Sequence, residues 1–215
     1  SAAAPQTTPP KAAAQRSAPQ KAMDKLGLVR DIDLALHLPL RYEDETHLTP
    51  LAGAHDGDTV HVEGVVRDAR IELRPRRQFI VRLTEAGPDG LLGRLELVLR
   101  FVNFYPSHQK TFATGARLRV RGELRAGFFG REIVHPVFKT VVQGAPLSHE
   151  LTPVYPTSAQ LPQAYLRRAV ASGLARARLD EILPLDFLPP RLPALREALH
   201  VLHHPPAGVA MHALQ

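Results

Sequence analysis

The chain has 215 residues, of which 44% are apolar and 22% charged, and it carries a formal net charge of +6 at neutral pH. It contains no cysteine, which excludes disulfide bridges and thiolate metal sites. No apolar run approaches the ~18 residues of a membrane-spanning helix, and the first residues lack the charged start and apolar centre of a secretory signal. The composition therefore predicts a soluble, cytoplasmic protein with one good core or two small domains.

The positive charge is concentrated in the middle of the chain. Residues 58–143 contain 15 Lys and Arg against 9 Asp and Glu, and this difference equals the net charge of the whole chain. All but two of these cations are arginine, whose planar guanidinium contacts phosphate in a forked geometry and stacks on bases. This bias favours a nucleic-acid partner, although a solvated basic face would give the same count.

The N-terminal part of the chain divides into a tail and a helical segment. Residues 1–20 are rich in Ala, Pro and Gln and have no large apolar side chain, which predicts a disordered tail. Residues 21–57 are predicted to form an N-terminal helical segment that begins near Lys21 and continues up to Pro39. Asp31 or Asp33 is the expected N-cap within it.

From residue 58 the apolar period changes to two, which predicts strands. Five stretches alternate in this way, beginning at Val60, Phe79, Leu95, Arg117 and Arg131, the last running to about Val142. The short polar stretch 103–112, with Pro106 in a first helical turn, lies between the third and fourth. This order is typical of a five-stranded OB-fold β-barrel over residues 58–143, although small sandwiches and SH3-like barrels also fit the pattern.

Each of these strands is predicted to be half-buried, and the clearest is Arg117–Arg125. Leu118, Val120 and Leu124 point to one face, whereas four arginines and Glu123 point to the other.

Residues 144–215 return to a helical period in two stretches, Leu161–Leu174 and Leu192–Leu202. The fold class is therefore α+β, with a barrel flanked by N-terminal and C-terminal helices. The sequence has no GxxxxGK[ST] phosphate loop, and its 11 histidines are scattered without carboxylates or cysteines at ligand spacing. No catalytic or metal-binding residue is predicted, and we do not expect this chain to hydrolyse ATP by itself.

Two short sequence motifs flank the strand region. The first runs from Leu36 to Asp44 with the letters LHLPLRYED, and the second runs from Leu151 to Thr157 with the letters LTPVYPT. In this order, with a basic, strand-rich segment between them, they resemble the N-terminal wedge region of RecG-type DNA helicases. The resemblance extends over about residues 26–206. It implies an OB-fold wedge that binds branched DNA, such as replication forks and Holliday junctions, during fork reversal, recombination and repair.

In that family two motor domains follow the wedge and use ATP and magnesium. This sequence ends at Gln215, before such domains would begin. The resemblance therefore implies that residues 144–215 are a helical linker to motor domains absent from this chain. It also implies that the chain binds no cofactor itself, is inactive alone, has its own motor domains as a second partner and acts as a monomer.

The end of the third strand supplies the first candidate DNA-binding residues. Phe101 has the parity of the apolar residues before it and is predicted to be core, so Arg100 and Val102 should face outward. The resemblance implies a second aromatic directly after the Arg-Phe pair, packed on a base at the branch point. Because Val102 occupies that position, the predicted stacking residues are Phe104 and Tyr105. Packing within the domain is the other interpretation of both rings.

Two predicted loops complete the candidate surface. Arg74, Arg76 and Arg77 lie between the first two strands, and Phe128 and Phe129 lie between the last two. In OB-folds these loops flank the nucleic-acid groove, so the pattern predicts an arginine clamp with stacking platforms. Ordinary hairpin turns, with the phenylalanines closing the barrel, are the alternative.

Two other functions fit the same sequence. One is a free-standing OB-fold module that binds single-stranded DNA or RNA. The other is an adaptor whose barrel binds protein and whose arginines only solvate it.

Overall fold

The computed structural model describes residues 16–74, 76–87, 91–181 and 192–209. The chain forms two compact units. The flanking unit combines the chain up to Glu43 with the chain from Thr152 onward, and the sheet unit comprises Asp44–Leu151. The helices predicted at the two ends of the chain thus belong to one unit, and the sheet unit is inserted between its two parts in the sequence.

The elements of both units are as follows. The helices are α1 (Ala18–Lys25), α2 (Asp31–Ala35), α3 (Pro106–Thr111), α4 (Gln163–Arg176) and α5 (Leu195–His203). The strands are β1 (Arg41–Glu43), β2 (Thr59–Glu72), β3 (Gln78–Ala86), β4 (Leu92–Phe101), β5 (Arg117–Glu123), β6 (Arg125–Gly127), β7 (Gly130–Val134), β8 (Val137–Thr140) and β9 (Thr152–Val154).

Helix α1 begins within the stretch that was predicted to be a tail. Ser17 caps it through a reciprocal pair of hydrogen bonds: the Gln20 N–H donates to Ser17 Oγ, and the Ser17 N–H donates to Gln20 Oε1 at 2.8 Å. This capping box satisfies two of the helix's unpaired N–H groups, so residues 18–20 are helical despite their composition. Residues 1–15 of the predicted tail lie outside the described residues.

Helix α2 is shorter than predicted and is capped differently. Its N-cap is Arg30, not an aspartate, and Asp31 is its first helical residue. Asp33 satisfies the helix end from the third position, accepting a hydrogen bond from the Arg30 N–H at 2.8 Å. Hydrogen bonds from the Arg30 side chain and then from its backbone lower the pKa of Asp33 to about 2. The helix ends at Ala35, before Pro39.

The core of the flanking unit brings the two ends of the chain together. Helix α4 packs on α2 where Gly173 lies against Leu34. Strands β1 and β9 form an antiparallel pair. The buried His203 on α5 bonds the Tyr155 hydroxyl through Nδ1 and the Ala35 carbonyl through Nε2, both at 2.8 Å. The helical periods predicted around residues 161–174 and 192–202 are confirmed by α4 and α5.

The sheet unit contains one sheet in the order β6-β7-β4-β3-β2-β5-β8. All its neighbouring strands are antiparallel except β4 and β7, which are parallel. Strands β7 and β8 are separated only by His135 and Pro136, yet they pair with strands at opposite ends of this order. The sheet must therefore curl, and Gly122 of β5 lies so close to Ile133 of β7 that a Cβ would be 2.4 Å from Ile133 Cγ2.

The predicted five-stranded OB-fold barrel is only partly confirmed. The sheet has seven strands, and among the described residues no strand pair joins β6 to β8 to close it. The predicted fifth strand is divided into β7 and β8, because His135 has a φ of +51° and Pro136 lacks an N–H for the ladder. The predicted fourth strand ends at Glu123, and the helix between strands three and four is α3, with Pro106 in its first turn.

The core of the sheet unit lies on one face of the curled sheet. Its fully buried members include Val62, Phe79, Val81, Leu83, Leu97, Leu99, Phe101, Phe112, Leu118 and Val120. The prediction of half-buried strands is wrong for the centre of the sheet, because Ile80 and Val98, which have the opposite parity, are also buried. Each pairs with arginine in the register, Ile80 with Arg100 and Val98 with Arg82, and the stems of such side chains cover apolar surface.

The charged face of β5 is also not the solvated face that simple alternation suggests. Arg119 is only 5% exposed, and its Nε donates to Glu63 of β2 at 2.8 Å. Arg117 donates to the same carboxylate at 2.9 Å. The remaining donors of Arg119 bond the backbone carbonyls of Ala145 and Pro146. These two arginines therefore hold the sheet unit together.

Candidate nucleic-acid interface

The basic loop joins β2 to β3. Arg74, Arg76 and Arg77 are exposed, and within the described part of the chain none of the three has an acidic partner. Exposed guanidinium groups without a carboxylate partner keep all their donors available for phosphate oxygens. Arg77 lies over the ring of Phe104, with its Cζ 4.4 Å from the ring centroid, a cation–π geometry.

The two rings after β4 are in different environments. Phe104 packs on the buried Phe79, with ring centroids 5.4 Å apart, and is also contacted by the guanidinium of Arg77. Tyr105, in contrast, is 71% exposed, and its ring makes an edge-to-face contact with His108. Tyr105 is the N-cap residue of helix α3, so its side chain lies at the N-terminus of that helix. Tyr105 can accept a stacked base as it lies, whereas Phe104 supports the arginine above it.

Arg100 and Val102 lie at the end of β4. Phe101 between them is buried in the core, as its parity predicts. The guanidinium of Arg100 is engaged by Glu132 of β7 in an ion pair that is largely buried on the carboxylate side. Val102 is half-buried and has no ring to offer a base.

The turn between β6 and β7 carries the most exposed aromatic side chain among the described residues. Strand register places Gly127 opposite Gly130, so Phe128 and Phe129 form a two-residue hairpin turn. Phe128 is 90% exposed, and Phe129 meets it edge to face at 5.1 Å. The guanidinium of Arg82, on β3, lies 5.6 Å from the Phe129 ring centroid.

The predicted site residues therefore form two groups. Arg77, Phe104 and Tyr105 come together around the start of α3, beside Arg74 and Arg76. Phe128 and Phe129 form the second group at the β6–β7 hairpin, to which Arg100 is linked through Glu132. Sequence reasoning missed Arg82 and Glu132 in this second group. The parity of Arg82, opposite to that of Phe79 and its apolar neighbours, was the available signal.

No three His, Asp or Glu side chains in the described ranges gather where they could hold a metal ion. Nor does any helix among these residues have the length and apolar character needed to cross a membrane. Burial lowers the pKa of His61 on β2, and its Nδ1 bonds the His47 carbonyl, so this histidine is a structural group.

Comparison with known proteins identifies the class of domain. The model of the RecG wedge domain family matches residues 13–176, and the chain therefore belongs to that family. ATP-dependent DNA helicase RecG of Pasteurella multocida (strain Pm70) is 33% identical over 198 residues, covering 90% of this chain and 27% of the relative. RecG of Escherichia coli (strain K12) is 36% identical over 199 residues, covering 89% and 27%. The chain thus spans about a quarter of the length of these curated relatives.

A solved structure supports the same fold. The chain resembles a RecG bound to a three-way DNA junction, with a TM-score of 0.64 and 21% identity. This similarity covers 87% of this chain and 25% of that one. The predicted membership of the RecG wedge family is confirmed, and the α+β class with a sheet-rich core is confirmed with it.

Proposed function

We propose that this chain is the branched-DNA-binding wedge of a RecG-type ATP-dependent helicase. This proposal depends mainly on one observation. In the sheet unit, exposed arginines that have no acidic partner among the described residues lie in the same region as exposed aromatic rings. Cations of this kind neutralise phosphates, and rings of this kind stack on unpaired bases at ~1 to 3 kcal/mol per base. A relative whose structure is described as bound to a three-way DNA junction supports the choice of branched DNA.

The curled sheet serves in this proposal as an OB-type platform. Its β2–β3 loop supplies cationic groups for the backbone of one arm, and Tyr105 and Phe128 supply the surfaces that cap bases where the arms separate. Val102 and Phe104, which are both half-buried, support this surface. The wedge itself breaks no bond. It holds the arms apart while motor domains pull the duplex.

Family membership also suggests the cofactors, partners and location of the whole protein. ATP and magnesium would bind to the motor domains of a RecG-type protein, not to this wedge, and those motor domains would be its protein partner. We propose that the wedge acts as a monomer, in the cytoplasm, on stalled replication forks and recombination junctions. The segment from residue 144 onward would lead toward the motor domains.

The first experiment tests the basic loop. The purified chain should bind a three-way DNA junction with an affinity that falls steeply with salt. Replacing Arg74, Arg76 and Arg77 with Ala should flatten the slope of log K against log salt by up to about 3, because each phosphate contact contributes ~0.9. The melting temperature of this variant should fall only slightly, since all three side chains are exposed and the Arg77–Phe104 contact involves an exposed guanidinium.

The matched control removes the same charge from the flanking unit. Lys21, Lys25 and Arg168 are all exposed, and their replacement by Ala should change the salt slope far less. Equal slopes for the two triple variants would mean that net charge alone drives binding. Binding that does not respond to salt would reject the proposal.

The second experiment tests stacking. Tyr105→Ala combined with Phe128→Ala should weaken binding to junctions with unpaired bases by about tenfold or more, as expected for two lost base contacts. Binding to plain duplex should hardly change, because duplex bases are already stacked on one another. Equal losses on both DNAs would show that neither ring stacks on a base.

A further inference from the structure

The base of the aromatic hairpin contains an arrangement that the DNA-binding proposal does not use. Glu132 lies on β7, between Arg125 of β6 on one side and Val98 of β4 on the other. Its side chain lies directly across Gly127, where a Cβ would be 2.1 Å from the carboxylate oxygen Oε2. Only a residue without a side chain leaves room for a carboxylate at this point of β6.

The same carboxylate accepts a hydrogen bond from Arg100. In the parallel β4–β7 ladder, Val98 is opposite Glu132 and Arg100 is opposite Val134. The side chains of Arg100 and Glu132 are therefore diagonal neighbours on the same face of the sheet. The Glu132 side chain is 8% exposed and the Arg100 side chain 26%. A pair this buried is not readily broken, since either charge would be left without its partner.

We propose that Arg100 is a positioning residue, which fixes the angle of the Phe128–Phe129 hairpin by clamping Glu132 over Gly127. This inference rests on the proposed function and assigns Arg100 a role other than direct contact with phosphate. Phe128 at the tip of the turn is almost wholly exposed, and its neighbour Phe129 is the ring that Arg82 contacts. Clamping the base of the hairpin keeps the Phe128 ring in one orientation, which reduces the entropy lost when a base binds.

The first test needs no DNA. The chain contains no tryptophan, so Phe128→Trp places a unique fluorophore at the tip of the hairpin. In this background Arg100→Gln should increase the amplitude of nanosecond motion seen in time-resolved anisotropy, and Arg100→Lys should restore part of the rigidity. Arg94→Gln removes the same charge from an exposed position of the same strand and should change nothing. Unchanged motion in Arg100→Gln would overturn the proposal.

A second variant covers the case in which Arg100→Gln fails to fold. Gly127→Ala leaves both charges in place but inserts a methyl group where the carboxylate lies. It should loosen the tryptophan to a similar extent. A rigid tip in this variant would contradict the clamp.

The second test uses a three-way junction with unpaired bases and a double-mutant cycle. Arg100→Gln alone should weaken binding about threefold to tenfold, because the Phe128 side chain would then have to be ordered when the base binds. Combined with Phe128→Ala it should weaken binding no further than Phe128→Ala does alone. Additive losses would show that Arg100 contacts DNA itself and would overturn the proposal. If the unaltered chain does not bind DNA, the proposed function fails, and the fluorescence experiment still decides whether the clamp exists.

Discussion

Phe104 packs against the buried Phe79 and also lies under the guanidinium of Arg77, so a base would have to displace that arginine to stack on the ring face that Arg77 covers. Tyr105, the next residue, is largely free of such contacts. Two neighbouring aromatic residues therefore have different capacities for stacking, although their sequence signal is the same. At the scale of single residues, burial and the nearest cation decide which ring is available.

Glu63 is the shared acidic partner of two arginines inside the sheet unit. It accepts hydrogen bonds from Arg117 and Arg119, and the side chains of all three are between 5% and 13% exposed. Arg119 in turn holds the carbonyls of Ala145 and Pro146. Removing the carboxylate would take its acidic partner from the buried guanidinium of Arg119.

We expect Glu63→Ala to lower the free energy of unfolding of the sheet unit by about 3 kcal/mol or more, the usual effect of breaking a buried ion pair from one side. Urea denaturation measures this directly. Glu123→Ala is the control, because it removes a carboxylate that pairs with Arg125 on the surface and should leave the midpoint nearly unchanged. Equal small effects would mean that the arginines find water when Glu63 is lost.

At the scale of elements, two glycines allow close packing that larger residues would prevent. Gly122 lets β5 approach β7, which is how the sheet curls. Gly173 lets α4 approach α2, where a Cβ would lie 2.5 Å from Leu34 Cβ and 3.2 Å from the Asp31 carbonyl oxygen. Neither glycine is a break in its element, since the strand and the helix continue through them.

Gly173→Ala provides a test in which the sign of the effect is informative. Alanine in a helix interior is favoured over glycine by about 1 kcal/mol, so the substitution would stabilise α4 if space were available. The atoms that the new methyl group would meet are Leu34 Cβ and the Asp31 carbonyl oxygen, which are on or next to the backbone of α2 and cannot move easily. We therefore expect the free energy of unfolding, measured by thermal or urea denaturation, to fall by about 1 to 3 kcal/mol.

The control for this prediction is Ala171→Gly, at an exposed position on the same helix, which measures the propensity contribution alone. A stabilised Gly173→Ala variant would show that α2 and α4 are not held this closely.

At the scale of the whole molecule, the flanking unit depends on contacts between residues far apart in the chain. The bond from His203 to the Ala35 carbonyl spans 168 residues. With its Nε2–H donating to that carbonyl, the neutral ring has Nδ1 free to accept from the Tyr155 hydroxyl at 2.8 Å. Burial, followed by the nearby His204, His37 and His200, lowers the pKa of His203, although the Ala35 bond opposes this shift.

This histidine should make the flanking unit sensitive to acid. Because its folded-state pKa is below the unfolded value of about 6.5, the unfolded chain binds more protons, and its stabilising contribution is complete above that pH. The contribution should be lost progressively as the pH falls below about 6.5. Thermal melts between pH 7.5 and pH 5 measure this loss.

His203→Gln should reduce the loss of melting temperature over that pH range. Part of the loss should remain in the variant, because burial also lowers the pKa of His61 in the sheet unit, with the same sign. Carboxylates such as Asp33, with a pKa of about 2, do not titrate in this window. An unaltered pH profile in His203→Gln would show that His203 is not the group responsible.

Much of the local structure was determined by the sequence alone. Period-two alternation located the first four strands of the sheet, and period-3.6 spacing located α4 and α5, because each pattern records which residues must leave water. The two short motifs around the strand region, with the basic segment between them, were also sufficient to predict the family. These features depend on residues close together in the chain or on short identifiable motifs.

The tertiary structure decided what depends on contacts between distant residues. It divided the predicted fifth strand at His135, buried Arg119 against Glu63 and joined the two ends of the chain in one unit. It also paired Arg100 with Glu132 and placed Arg77 on Phe104. Alternation shows which face a side chain occupies but not what covers that face, and the role of a charged or aromatic residue depends on what covers it.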